Sequence, residues 1–174
     1  MSDIVKNALS NTIQDLKDNP ASSKTVFEAQ AVLGENVKVK AGARSFSFNF
    51  DEPAALGGDD SAPNPVEYVL ASLGACQAIV YRALASLKGI ELESVTVNTK
   101  GHLDLNGFLG LDSTARPGLS KVEFETTIVS SESTETIERL ASQVESLCPV
   151  LDIISNPVTV EGKLTVLKEA VLVR

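Results

Sequence analysis

The chain is short of the residues that most often announce a function. In 174 residues it has two cysteines, one histidine, one methionine (the first residue) and no tryptophan, and aromatics make up 5%. Two cysteines and a single histidine do not form a zinc-site spacing. With so few aromatics, the core must be built from Val, Leu, Ile and Ala. Basic residues are also scarce, 15 Lys and Arg against 23 Asp and Glu for a net charge of −8. They form no cluster, so phosphate-driven binding to nucleic acid is not expected, and neither is attraction to an anionic membrane. The start, Met-Ser-Asp-Ile-Val-Lys, lacks the basic segment and apolar run of a secretory signal. That lack, together with the low cysteine count, points to a reducing cytoplasm, where a cysteine pair is more often catalytic or redox-sensing than structural. No repeat or linker divides the chain.

The pattern that is present predicts alternating helices and strands. Ile4, Val5, Ala8, Leu9, Ile13 and Leu16 share one helical face, and Asn19-Pro20 stops that helix, so residues 1–20 read as a helical extension ahead of a single domain over 21–174. Lys24–Leu33, Glu35–Lys40 and Ser45–Phe50 alternate as a three-stranded meander, with a turn at Gly42-Ala-Arg44. After the Gly57-Gly-Asp-Asp-Ser-Ala-Pro63 loop, Asn64, Pro65 and Glu67 form the start chemistry of a long helix, which Lys88-Gly89 ends. Strands follow at Ser94–Asp104 and Lys121–Val129, then a helix over Ser133–Leu147 with Ser133 as cap. A further turn is expected over Val150–Ile154, and closing strand material over Val158–Leu172. This order implies an α+β fold with mostly antiparallel sheet.

The long helix is apolar on nearly every side. Tyr68 to Leu87 carries one charge, Arg82, but Ser72, Gly74, Gln77 and Ser86 make it a poor membrane span and a good buried helix. One small sheet covers only one side of it, so an intimate homodimer is expected.

Both cysteines stand in settings worth noting. Cys76 lies inside that helix, where burial disfavours a thiolate, yet Gly74, Ala75 and Ala78 leave room beside its sulfur. Cys148 precedes Pro149 at a helix break, where it is either a buried packing residue or a thiol beside the free amides of a new helical start. His102 reads as a solvent-facing strand residue, and Glu132–Glu138 as a solvated helix start.

Asn64-Pro65-Val-Glu67…Gly74-Ala-Cys76, followed by Cys148-Pro149-Val150, resembles the OsmC/Ohr family, in its OsmC-like branch. The likeness runs from about Phe27 to Leu164 and takes in Leu56-Gly-Gly and Ser155-Asn-Pro-Val. It implies an intertwined homodimer with long central helices enclosed by sheets and active sites at the interface. It implies thiol-dependent reduction of organic hydroperoxides: Cys76 attacks, Cys148 closes a disulfide, and an external dithiol of lipoyl type restores the pair, with no cofactor or metal. It also implies an Arg and a Glu beside the attacking sulfur. The family's Arg position falls in Val32-Leu-Gly-Glu-Asn-Val, which has none, so Arg44 is the nearest candidate; Arg82 lies six residues past Cys76, about 120° round the helix. Val66 stands where the family has its Glu, and Glu67, nine residues before Cys76, is the candidate here; at about 100° per residue it sits on the opposite helical face. The alternative function is a non-peroxidatic OsmC-like protein that binds an apolar small molecule at its interface, its cysteines serving as lining. A redox-sensing interaction partner is a third.

Overall fold

The computed structural model describes residues 3–167. Helix α1 (Asp3–Asp18) leans on the long helix through half-buried Val5 and Leu9, and stops at Asn19-Pro20 as the sequence predicts. Strands β1 (Gln30–Leu33), β2 (Val39–Ala43) and β3 (Phe46–Phe50) form the expected antiparallel meander, ordered β1-β2-β3. It is shorter than its alternation promised. Residues 24–29 pair with no strand and lie exposed, Val26 and Phe27 among them, and Glu35–Lys38 form the turn that precedes β2. Alternation marks a strand only where another backbone comes alongside.

Asp51 ends β3 and organises the following loop. Its carboxylate, 1% exposed, accepts from the Ser61 hydroxyl (2.6 Å), the Ser61 N–H (3.0 Å), the Glu52 N–H (2.9 Å) and the Asp59 N–H (3.2 Å). One charge thus satisfies donors from both ends of the loop and delivers the chain to the start of α2 (Pro65–Lys88). There the cap is as the sequence implied: the Glu67 N–H donates to Asn64 Oδ1 (2.9 Å) and the Asn64 N–H to Glu67 Oε2 (2.8 Å). Gly89 at φ 74° closes the helix in the left-handed region, where a Cβ would be strained.

Strands β4 (Ser94–His102) and β5 (Lys121–Val129) pair antiparallel along their full length, and strict alternation turns Val95, Val97, Val122, Phe124 and Ile128 toward the helices. A short helix α3 (Leu105–Phe108) sits in their connection. Then α4 (Thr134–Leu147), capped by Ser133, and α5 (Pro149–Ser155) meet at Cys148. The core lies where α2, α4 and this sheet converge: Tyr81 and Ala85 of α2 pack with Leu92, Leu140 and Val144. Helix α2 rides on β4, with Gly74 bringing its backbone close to the Val97 carbonyl and Thr99 Oγ1 donating to the Leu70 carbonyl at 3.2 Å. Its first turn is held from the other side by Phe48 and Phe50, whose ring centroids lie 5.7 and 4.4 Å from that of Tyr68.

Two expectations fare differently in the single chain. Helix α2 is long and apolar enough by composition to cross a membrane; here it packs on β4 and α4. Its cover is incomplete, with Ile79 68% and Val69 44% exposed. The closing strand is not formed over 158–167, which pairs with no strand, and residues 168–172 lie outside the described residues. Val158, Val160, Leu164 and Val166 keep strand alternation yet face solvent.

The Asp51 network has a pH signature. The Ser61 hydroxyl, then the Ser61 amide, hold the Asp51 carboxyl down to about 2 from an ordinary 3.8. A carboxylate depressed on folding stabilises above its unfolded value, and that contribution is lost as pH falls through the folded one. Glu123, held to about 2 by Lys121 and His102, titrates in the same window. Acid unfolding followed by circular dichroism should therefore show a steeper loss of stability below about pH 4 in wild type than in Asp51→Asn. Equal slopes would remove Asp51 from its central place in the loop.

Candidate active site

Cys76 and Cys148, far apart in sequence, are brought together because α4 ends where it does. Pro149 cannot continue α4 but suits the first turn of α5, so the chain bends at Cys148, which closes one helix and opens the next. The bend lays Cys148, 1% exposed, against half-buried Cys76 on α2, and both are free thiols. Pro149 has no N–H, so Val150 supplies the first amide of α5, and that amide favours the Cys76 thiolate.

Burial pushes the Cys76 thiol up; the Val150 N–H pulls the other way, and the Cys148 thiol adds to the upward shift through a hydrogen bond and its charge. Among the described residues no cation of the same chain acts on Cys76. The single chain therefore brings two thiols and one amide together, but leaves Cys76 predominantly protonated at neutral pH.

The other sequence candidates stand elsewhere in the chain. Arg44 occupies the β2–β3 turn at φ 55°, its guanidinium 5.0 Å from the centroid of the Phe46 ring. Glu67 is exposed and engaged in the α2 capping box. Arg82 Nη2 donates to the Leu92 carbonyl at 3.1 Å, beyond the far end of α2. His102 lies on the solvent face of β4, paired with Glu123 at 2.7 Å. Among the described residues no three His, Cys, Asp or Glu side chains converge as metal ligands.

An apolar groove of about 600 Å³ lies beside the thiol-bearing segments. Phe48 and Phe50 of β3, Val69 and Ser72 of α2, and Val150 and Ile153 of α5 line it. Neither cysteine lines it, but two of its lining residues stand next to them: Ser72 is one helical turn before Cys76 on the same face of α2, and Val150 follows Cys148-Pro149. Its walls suit a hydrocarbon-bearing ligand. One residue of this region escaped the sequence reading. Gln77 is 1% exposed and neither amide atom has a hydrogen-bond partner. The available signal was an amide at the helical spacing of Leu73, Tyr81 and Ala85, where every neighbour is a core position.

Comparison with known proteins places this arrangement. The family profile described as OsmC-like protein matches residues 58–163, from the loop before α2 to beyond α5. Comparison with curated proteins gave no match. Among solved structures, an OsmC-like protein from Mycoplasma pneumoniae is 21% identical with a TM-score of 0.66, over 76% of this chain and 89% of that one. A protein from Legionella pneumophila described as organic hydroperoxide resistance protein OsmC, predicted redox protein and regulator of sulfide bond formation is 22% identical, TM-score 0.57, over 76% and 90%. An OsmC-like protein of unknown function from Vibrio cholerae is 15% identical, TM-score 0.62, over 74% and 93%. With an antiparallel α+β fold shared with these structures and a family profile spanning the site, the chain belongs to the OsmC-like protein family.

Proposed function

We propose that this protein is a thiol-dependent peroxidase that reduces organic hydroperoxides to alcohols. The observation that carries the reading is the meeting of Cys76 and Cys148 beside an apolar groove, with the Val150 amide favouring the Cys76 thiolate. In the proposed cycle the Cys76 thiolate attacks the distal peroxide oxygen, forming an S–O bond and breaking O–O. The alkoxide leaves, takes a proton and departs as alcohol, while Cys76 becomes a sulfenic acid. Cys148 then attacks that sulfur; the S–S bond forms, the hydroxyl leaves as water, and an external dithiol, lipoyl-type by family resemblance, reduces the disulfide. The Legionella relative's description as an organic hydroperoxide resistance protein supports this substrate class.

The working form we propose is a cytoplasmic homodimer. The uncovered α2 face and the unpaired alternating segment 158–167 are surfaces that a second copy would bury. The protonated state of Cys76 in the single chain supports the same reading, because a stable thiolate in an apolar site needs a nearby positive charge. We assign that charge to Arg44 and a supporting carboxylate to Glu67, both delivered across the dimer interface. The same upward shift of Cys76 favours a second reading, in which the groove binds an apolar small molecule and the cysteines only line it.

Peroxide treatment separates the two. With stoichiometric cumene hydroperoxide, mass spectrometry should find a Cys76–Cys148 disulfide in wild type and none in Cys76→Ser. Equal, slow peroxide consumption by the two proteins would leave only the ligand-binding reading. Sedimentation at micromolar concentration should show a dimer; a monomer there would remove the interface on which Arg44 and Glu67 depend.

A further inference from the structure

Gln77 has no structural reason to be polar. It is 1% exposed, and of the buried side chains without hydrogen-bond partners among the described residues it alone leaves two atoms unsatisfied, Nε2 and Oε1. An amide buried with neither its donors nor its acceptor paired costs free energy that an apolar residue of the same shape would recover.

The helix packing says what lies opposite it. Helices α2 and α4 run antiparallel: Tyr81 and Ala85 share their core with Val144 and Leu140, the Glu145 carboxylate acts on Tyr81, and Cys148 acts on Cys76. One turn back from Tyr81 on α2 is Gln77; one turn on from Val144 is Cys148. The antiparallel run that sets Cys76 by Cys148 and Tyr81 by Glu145 brings Gln77, next to Cys76 on α2, to the level of Cys148, and both are 1% exposed.

We propose that Gln77 serves the resolving step, a role that rests on the peroxidase reading. In that step buried Cys148 gives up its proton and its sulfur attacks the Cys76 sulfenic acid; the S–S bond forms, the S–O bond breaks, and the departing hydroxide with the released proton makes water. A thiolate forming there, cut off from water, needs a donor that stays in place. Unpartnered at rest, the amide is free to turn Nε2 to the Cys148 sulfur as charge develops there. On this assignment Gln77 sets the rate of disulfide closure and leaves the first attack on peroxide alone.

Gln77→Met tests it, because Met keeps the length and removes both polar atoms. Under stoichiometric cumene hydroperoxide, trapping of the Cys76 sulfenic acid by dimedone should proceed as in wild type. Disulfide closure should slow by about tenfold or more, the scale of one hydrogen bond to a charged group. The urea midpoint should rise. Gln77→Glu, which has the shape without the amide donor, should also close slowly, and it decides the matter should Gln77→Met not fold. Closure at the wild-type rate and equal slowing of sulfenic acid formation would each overturn the assignment. A wild type in which dimedone traps no sulfenic acid would instead fail the peroxidase reading.

Discussion

The burial of helix α2 is the constraint from which the rest of this structure follows. Its apolar length cannot be left in water, and each neighbour is placed to cover part of it: β4 beneath Gly74, α4 against Tyr81 and Ala85, and the β3 phenylalanines over Tyr68. The capping box and the Asp51-held loop fix where the helix begins, and so where Cys76 stands along it. Among the described residues the helix is not fully enclosed. Ile79 and Val69 stay exposed, and the segment that alternates like one more strand, 158–167, has no strand to join. In the proposed dimer a second copy supplies what one chain lacks, for packing and for charge alike.

Chemistry and architecture meet at the α4–α5 bend. Pro149 does two things there: it ends α4 so that Cys148 lands by Cys76, and, having no N–H itself, leaves Val150 as the first amide of α5, which favours the Cys76 thiolate. A straight helix through this point would have carried the second thiol past the first. Burial works against the thiolate, and one amide offsets it only in part. For the proposed cycle, a single chain brings the two thiols together but leaves Cys76 incompletely set for attack. This is the physical reason for placing Arg44, which has no ion-pair partner among the described residues, across the proposed interface.

Local chemistry was readable in the sequence wherever one segment determines its own structure. Asn64-Pro65 with Glu67, Gly89, Ser133 and the alternation of β4 and β5 all give structure from neighbours within a few residues. What stayed hidden depends on distant partners. Residues 24–29 and 158–167 alternate like strands but find no edge to join in this chain. Asp51 looked like an ordinary loop acid until the fold gathered four donors on it. Gln77 could be seen as polar in an apolar helix, but not as a fully buried amide without partners, because that needs the packing around α2. The cysteine pair was found through resemblance to a family motif; its contact, and the amide that accompanies it, come from the fold.

The central claim, that a complete site takes Cys76 from one protomer and Arg44 from the other, is tested most directly by mixed dimers. Cys76→Ser and Arg44→Met would be prepared separately and together by co-expression, and hydroperoxide consumption measured with excess dithiol. Each variant alone should be close to inactive. The mixed dimer contains one interface with Cys76 from the Arg44→Met chain and Arg44 from the Cys76→Ser chain, and should recover a substantial part of the wild-type rate per intact site. Mixed dimers no more active than their parents would contradict the shared site.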